Sequence, residues 1–287
     1  MSTKVRIGGH VSAGGGLTQA LLRAREIGAN TIQIFGSSPR QWNAALPDEK
    51  SAKEFRALSR EMDVWPVFLH APYLINLASP NVDLRQKSEN LLRNSLKISE
   101  AIGGEGVIFH LGSSKGGNPQ EAREHLARIV LNILKEVPGE SKLILENSAG
   151  GGDKLGSSLA DLSKILKLID KNERVGVCFD TAHALEAGVM EKYDSANLNI
   201  LKEELGRLIG WSKISCLHVN DSKTSVGSHH DRHENIGQGE IGLAGFINLA
   251  RIKEFKSLPW LLEVPGFEGA GPDRRNIDIL QKLFDEK

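Results

Sequence analysis

Eight short and nearly continuous apolar segments recur along the chain of 287 residues, and segments of helical composition separate them. Strands of this kind are typical of a parallel sheet that is buried on both faces. The segments are RIGGHVS (6–12), TIQIFG (31–36), VFLHA (67–71), GVIFHLG (106–112), KLILENS (142–148), VGVCFD (175–180), ISCLHVND (214–221) and WLLEVPG (260–266). Eight strand–helix alternations in this length predict an α/β protein, a (β/α)8 TIM barrel that forms a single domain over residues 1–287.

Helix start signals support this alternation. Asn118, Pro119 and Glu121 offer an N-cap, a proline at the first helical position and a capping-box glutamate, and Ser158 with Asp161 repeats the pattern. Further segments of helical composition cover residues 17–28, 49–63, 83–102, 195–210, 244–254 and 273–285. A doubly wound open sheet is the alternative architecture. It is disfavoured because no G-x-G-x-x-G motif leads from the first strand into a helix.

The charge balance limits how the chain can attract a partner. Lysine plus arginine and aspartate plus glutamate both number 36, so the formal net charge is +0 and no global field draws in a polyanion. Any binding of nucleic acid must then use a local patch or a bound cation. Two cysteines are too few for a disulfide framework, and the chain carries neither a secretory signal nor an apolar run of membrane-spanning length. We expect a soluble cytoplasmic protein without membrane contact.

Six of the predicted strands carry an imidazole or a carboxylate at or near their C-terminal ends. These side chains are His70, His110, Glu146, Asp180, His218 and Glu263. Two residues earlier on the same strands stand Phe68, Ile108, Ile144, Cys178, Cys216 and Leu261. A strand period of two places each polar group and its predecessor on one face. If that face is the barrel interior, an apolar layer lies beneath a polar ring at the mouth, where barrel active sites are found.

Such a ring contains no lysine or arginine, so its burial is costly unless hydrogen bonds or metal ions satisfy it. Imidazole and carboxylate ligands together suit zinc, with manganese or iron as alternatives. One metal takes three or four protein ligands, so six exceed one site. His183 in FDTAH, and Asp231 and His233 in DRH, raise the number to nine. Nine ligands divide over three metals if one carboxylate bridges a pair.

Several long motifs of this chain resemble those of the bacterial endonuclease IV family, the zinc-dependent apurinic/apyrimidinic endonucleases. The motifs are HVSAGGG near the start, PRQW (39–42), YLINL (73–77), ILEN (144–147), GVCFDTAHALEAG (176–188), HVNDSK (218–223) and GSHHDRH (227–233). They follow the family's order and cover essentially the whole chain. The resemblance implies a xylose-isomerase-like TIM barrel.

The resemblance also implies roles for individual residues. His70, His110 and Glu146 would hold the first zinc; Glu146 would bridge to the second, completed by Asp180, His218 and Glu263; and His183, Asp231 and His233 would hold the third. Arg40 and Tyr73 would enter the minor groove of damaged double-stranded DNA. Glu146 would be the catalytic residue, since it can help to deprotonate the attacking water. Among the remaining histidines, His229 and His230 are expected at the surface or facing DNA.

The implied reaction is hydrolysis on the 5′ side of an abasic site, leaving a 3′-hydroxyl and a 5′-deoxyribose phosphate, together with removal of blocked 3′ ends. We expect a monomer. Two alternatives stay open: a metal-dependent sugar isomerase or epimerase built on the same type of barrel, and a metal-dependent DNA-binding protein without catalysis. A register alternative also stays open, in which His230 replaces His233 as a ligand. His10 is expected either behind the ligands or facing DNA.

Overall fold

The computed structural model describes residues 4–170 and 172–285, and these residues form a closed barrel of eight parallel strands. The barrel strands are β1 (Ile7–His10), β2 (Thr31–Phe35), β3 (Val67–His70), β4 (Gly106–His110), β5 (Lys142–Glu146), β6 (Val175–Asp180), β7 (Ile214–His218) and β10 (Trp260–Leu262). The short strands β8 (Asp221–Ser222) and β9 (His233–Glu234) form a separate two-stranded sheet. They neighbour one another in sequence order, and β1 closes the barrel by pairing with β10. The predicted TIM barrel is therefore confirmed, and the open sheet was the wrong alternative.

Helices follow the strands and surround the barrel. They are α1 (Leu17–Glu26), α2 (Glu49–Glu61), α3 (Val82–Ile102), α4 (Pro119–Glu136), α5 (Leu159–Leu168), α6 (Thr181–Glu186), α7 (Ser195–Glu204), α8 (Gly242–Ala250), α9 (Lys253–Lys256) and α10 (Arg274–Asp285). The predicted N-caps are present: the Asn118 side chain accepts the Gln120 N–H, and the Ser158 hydroxyl accepts the Asp161 N–H. None of the helices within the described ranges combines the length and hydropathy that crossing a bilayer requires.

Two predicted helices are interrupted in the structure. The segment 195–210 leaves the α-helical form after Glu204 and continues as a π-helical turn, Leu205–Ile209. Gly206 weakens the helix there, and Gly210, at φ 88°, ends it. The segment 244–254 divides into α8 and α9 because Ile252 adopts an extended conformation, which turns the fully buried Phe255 into the core.

The barrel interior holds the expected layer beneath its mouth. Six fully buried side chains pack there as a cluster distinct from the larger core between strands and helices. They are Phe68, Ile108, Ile144, Cys178, Cys216 and Leu261. Both cysteines are free thiols within this layer. The strand period predicted this arrangement correctly, and the layer forms the floor on which the polar ring stands.

Candidate metal centre

The polar strand ends of the barrel converge into one buried cluster at the mouth. Glu146, Asp180 and His218 are fully buried, and His70 nearly so. Of the four groups whose potential ligand atoms all lie within 4.8 Å of one another, two contain Glu146: His70, His110 and Glu146 form the first, and Glu146, Asp180, His218 and Glu263 form the second. Glu146 is common to both groups, so this geometry suits a carboxylate that bridges two ions.

The first group is oriented by a backbone contact. Nδ1 of His70 lies 2.7 Å from the carbonyl oxygen of Ala71, so the Nδ1–H donates to it and Nε2 is directed toward the cluster. That Nε2 lies 3.1 Å from Oε2 of Glu146, and Nδ1 of His110 lies 3.6 Å from the same oxygen. Two imidazole nitrogens and one carboxylate oxygen thus face a common point, as three ligands of one zinc would.

The second group uses the other oxygen of Glu146. Oε1 lies 2.9 Å from Nδ1 of His218, which is also 3.3 Å from Oε2 of Glu263 and 3.7 Å from Oδ2 of Asp180. Nε2 of His218 lies 2.7 Å from Oε1 of Gln33, which fixes its proton on Nε2 and leaves Nδ1 directed at the carboxylates.

The remaining three predicted residues lie beside these groups. Nε2 of His183 is 3.3 Å from Oδ2 of Asp231, and Nε2 of His233 is 3.6 Å from Oδ1 of the same residue. The opposite ring nitrogens lie near backbone carbonyls: Nδ1 of His183 is 2.8 Å from that of Asn147, and Nδ1 of His233 is 3.3 Å from that of Glu263. Both Nε2 atoms are buried without a hydrogen-bond partner among the described residues, as expected of nitrogens prepared to bind a cation.

Local sequence motifs position this third set. In FDTAH, Asp180 caps α6, and its carboxylate accepts the N–H of His183 at 2.8 Å. In the histidine-rich loop, β8 (Asp221–Ser222) pairs antiparallel with β9 (His233–Glu234), which returns the chain to the mouth. The Asp221 carboxylate accepts the N–H groups of Gly237, Gly239 and Ile241, so this aspartate fixes the loop and lies outside the cluster.

Opposite charges stabilise one another within the cluster. Burial raises the pKa of Glu146, but His110 and His218 outweigh burial and hold that pKa well below its ordinary value. Burial lowers the pKa of His218, whereas Glu263 and Glu146 raise it to a net value of about 10. In the metal-free chain His218 is therefore an imidazolium that neighbours the carboxylates of Glu146 and Glu263. A metal ion would replace the protons that neutralise these carboxylates.

Three neutral amides that the sequence interpretation omitted hold the ligands in place. Gln33 donates to Glu263 at 2.5 Å, and Asn220 donates to Oδ2 of Asp180 at 2.8 Å. Asn147 accepts the N–H of Asp180 at 2.7 Å. Each amide lies in or beside an apolar strand segment, and that placement is the signal by which they could have been found.

The loop histidines occupy different environments. His230 is exposed, whereas His233 belongs to the cluster, so the register in which His230 would replace His233 is not supported by the geometry. His229, at φ 58°, places Nδ1 3.1 Å from the carbonyl oxygen of Ala149 and connects two loops. His10 lies behind the cluster, with Nδ1 3.4 Å from Oε1 of Glu263.

The predicted DNA-contacting residues lie on the loops that rim the mouth. Tyr73 follows β3, is 63% exposed, and lines a cavity of about 370 Å³ together with His110, His183 and Asp231. Lys115 and Lys154 line the same cavity, which gives it a cationic edge. Arg40 is exposed in the turn after β2 and lies outside this cavity.

Comparisons with known proteins agree with this architecture. Residues 21–284 match the family model described as a xylose isomerase-like TIM barrel. A probable endonuclease 4 from Halothermothrix orenii is 34% identical over 97% of this chain and 100% of its own length. The crystal structure of endonuclease IV from Thermus thermophilus matches with a TM-score of 0.85 and 30% identity, covering 98% of this chain and 100% of that one.

A D-tagatose 3-epimerase-like protein also superposes, with a TM-score of 0.69 over 98% of this chain and 97% of its own, but at 20% identity. That likeness shows the shared barrel and nothing of the reaction. The curated relatives, in contrast, extend over nearly the full chain at higher identity. The chain belongs to the endonuclease IV family of xylose isomerase-like TIM barrels.

Proposed function

We propose that this protein hydrolyses the phosphodiester bond on the 5′ side of abasic sites in duplex DNA. The products would be a 3′-hydroxyl and a 5′-deoxyribose phosphate. Membership of the endonuclease IV family supports a deoxyribonuclease that acts in DNA repair. The observation that carries the proposal is the convergence of nine imidazoles and carboxylates at the mouth of the barrel, beside a cavity with a cationic edge.

The nine residues fit three zinc ions, with manganese or iron as alternatives at some positions. His70, His110 and Glu146 would hold the first ion; Glu146, Asp180, His218 and Glu263 the second; and His183, Asp231 and His233 the third. The Nε2 atoms of His183 and His233, which face Asp231 and make no hydrogen bond among the described residues, support the third position. Bound zinc lowers the pKa of a water molecule from 15.7 to about 7 and offers positive charge to a phosphate.

The protein's own groups organise the reaction. Glu146 faces two ligand groups with its two oxygens, and it would help to accept a proton as water attacks phosphorus in line. The departing 3′ oxygen would leave toward the set formed by His183, Asp231 and His233. Because Glu146, Asp180 and His218 are fully buried, their charges act in a lower dielectric and are stronger than at the surface.

Arg40 and Tyr73 are proposed to enter the minor groove and fill the base stack while the abasic sugar turns into the cavity. The exposure of both side chains supports this role, as does the position of Tyr73 on the cavity wall. Extrusion of an abasic sugar costs less than extrusion of a paired nucleotide, because no base pair is broken. We further propose that the enzyme removes blocked 3′ ends and works as a monomer in the cytoplasm.

A single-turnover assay on a duplex with one tetrahydrofuran abasic analogue tests the proposal. We expect one cut on the 5′ side of the analogue, with three metals per chain by elemental analysis. An undamaged duplex of the same sequence is the control and should stay intact. Absence of cleavage with one or two metals per chain would contradict the proposal and favour a sugar isomerase or epimerase. Tight binding of the abasic duplex without cleavage would favour a DNA-binding protein.

A further inference from the structure

Glu186, the last residue of α6, is fully buried and stands outside the nine residues assigned above. Its Oε1 accepts hydrogen bonds from the Ser222 hydroxyl at 2.8 Å and from the Arg232 N–H at 3.1 Å. Arg232 lies between Asp231 and His233, so this oxygen anchors the turn that carries both side chains. Glu186 therefore supports the backbone that carries Asp231 and His233, two members of the third ligand set.

The second oxygen of Glu186 has no such partner. Oε2 is buried and without a hydrogen bond among the described residues, and the ion pairs found within them do not include Glu186. A buried carboxylate oxygen that no donor or cation satisfies is strongly unfavourable. A bound cation would satisfy this oxygen while the carboxylate is charged.

The helix directs Glu186 toward the third ligand set. His183 and Glu186 are three residues apart on α6, so their side chains share one face of the helix. A carboxylate oxygen of Glu186, a ring nitrogen of His183 and a carboxylate oxygen of Asp231 all lie within 4.8 Å of one another. Nε2 of His183 is also buried and makes no hydrogen bond among the described residues, although it lies 3.3 Å from Oδ2 of Asp231. The Glu186 carboxylate, one of whose oxygens is unsatisfied, thus lies beside His183 and Asp231.

We propose that Glu186 is a fourth protein ligand of the third metal, beside His183, Asp231 and His233. One of its oxygens would bind the ion while the other holds the turn that carries Asp231 and His233. The inference rests on the three-metal centre proposed above. Asp231 is 40% exposed on its loop, whereas Glu186 belongs to a buried helix. A ligand from the rigid element would make the third ion harder to remove than the loop residues alone would.

Glu186→Gln separates the two functions of the side chain. Glutamine keeps an oxygen that can accept from the Arg232 N–H and the Ser222 hydroxyl, but it lacks the second anionic oxygen. Glutamine also resembles a neutral carboxylic acid, so the substitution tests whether the charge is used. Exposed Glu240, in the loop that follows β9, provides the matched control Glu240→Gln.

Competition with a chelator, followed by elemental analysis, measures the affinity of each variant for zinc alone. We expect Glu186→Gln to bind the third zinc at least about tenfold more weakly than the unaltered protein, with the other two unchanged. Glu240→Gln should retain all three affinities. An unchanged third affinity in Glu186→Gln would overturn the inference while leaving the three-metal centre intact. An unaltered protein that binds only two metals would instead overturn the three-metal proposal on which the inference rests.

Anomalous scattering from crystals of the zinc-loaded, unaltered protein provides a test that does not depend on folding of the variant. A carboxylate oxygen of Glu186 within about 2.0–2.2 Å of the third zinc would support ligation. A third zinc bound by His183, Asp231 and His233, with both Glu186 oxygens beyond about 3 Å, would overturn it.

Discussion

Glu146 is the residue on which the geometry of the centre depends most. One of its oxygens lies near His70 and His110, and the other lies near His218. The side chain is fully buried, and its pKa is held well below the ordinary value because neighbouring histidines outweigh burial. A neutral amide at this position would preserve shape but could neither bridge two cations nor accept a proton.

Glu146→Gln is therefore expected to lower cleavage of an abasic duplex by about 10²- to 10⁴-fold, the range associated with loss of a general base. Binding of the duplex should fall much less, because the other ligands and the loop cations are retained. Single-turnover kinetics and fluorescence anisotropy separate the two effects. Cleavage within about threefold of the unaltered protein would contradict the role of Glu146. Glu240→Gln serves again as the surface control.

His230 and His233, on either side of the Asp231–Arg232 pair, offer a second test of the ligand assignment. His233 lies in the cluster, whereas His230 is exposed. We expect His233→Ala to lose the third metal and His230→Ala to keep it, as measured by elemental analysis after dialysis. Because both variants remove one imidazole from the same loop, each is the other's control. Retention of three metals by His233→Ala together with loss of one by His230→Ala would reverse the assignment.

The protonation state of His218 predicts how metal binding depends on pH. In the folded, metal-free chain the pKa of His218 is raised from 6.5 to about 10, because Glu263 and Glu146 outweigh burial. The stabilisation from this imidazolium is complete below about pH 6.5 and is lost as the pH rises through about 10. A zinc ion at Nδ1 must displace the proton, so affinity should increase with pH across this window.

Calorimetric titration of the metal-free protein with zinc at about pH 7, in buffers that differ in ionisation enthalpy, measures the protons released. We expect net release, with His218 contributing to it. The control is His218→Ala, which lacks this imidazole and should therefore release fewer protons when it binds zinc. Zinc binding at this pH without proton release would contradict the imidazolium–carboxylate network.

At the scale of strands and helices, eight strand–helix alternations predicted the barrel, and the strand period of two predicted its inner layer and the polar ring. Phe68 and His70, for example, lie on the same strand and face the interior at successive levels. Gln33 on β2 is a neutral amide, so the pattern of ionisable groups at strand ends does not include it. Glu186 lies on a helix, whose period of 3.6 determines which of its residues reach the centre, so the strand pattern does not include it either.

The interrupted helices show a second limit at this scale. Composition over 195–210 favours one continuous α-helix. Packing against the rest of the barrel decides whether the helix widens into a π-helical turn at Gly206. Likewise, the break before α9 follows from burying Phe255, a tertiary requirement that composition does not express. Local sequence therefore predicted which elements exist better than where they end.

Strand β2 supports the centre through the side chain of Gln33. Its amide donates to Glu263 and accepts from His218, so it orients two ligands of the second group. Gln33→Leu should weaken binding of the second zinc by about 10- to 100-fold, the usual effect of removing a group that orients ligands. Chelator competition measures this loss, and Gln120→Leu on the exposed face of α4 is the control. Equal zinc affinity in both variants would contradict the supporting role.

Considered as a whole molecule, the chain has a formal net charge of +0, yet its proposed partner is a polyanion. Any attraction must therefore come from a local region. Lys115 and Lys154 supply positive charge at the edge of the cavity, and the charge of three bound divalent cations would exceed that of the ligand carboxylates, whether or not Glu186 is one of them. In the metal-free protein those carboxylates remain, with the His218 imidazolium beside them.

Removal of the metals should accordingly weaken DNA binding as well as abolish cleavage. We expect the dissociation constant for a duplex with an abasic analogue to rise at least about tenfold after chelation, a loss of about 1.4 kcal/mol or more. Binding of an undamaged duplex should change less, because its backbone stays outside the cavity. Fluorescence anisotropy at fixed salt measures both, and circular dichroism verifies that the metal-free barrel stays folded. Equal affinity for the abasic duplex with and without metal, in a folded protein, would mean that the loop cations alone attract the DNA. Restored affinity on return of zinc would locate the attraction at the mouth.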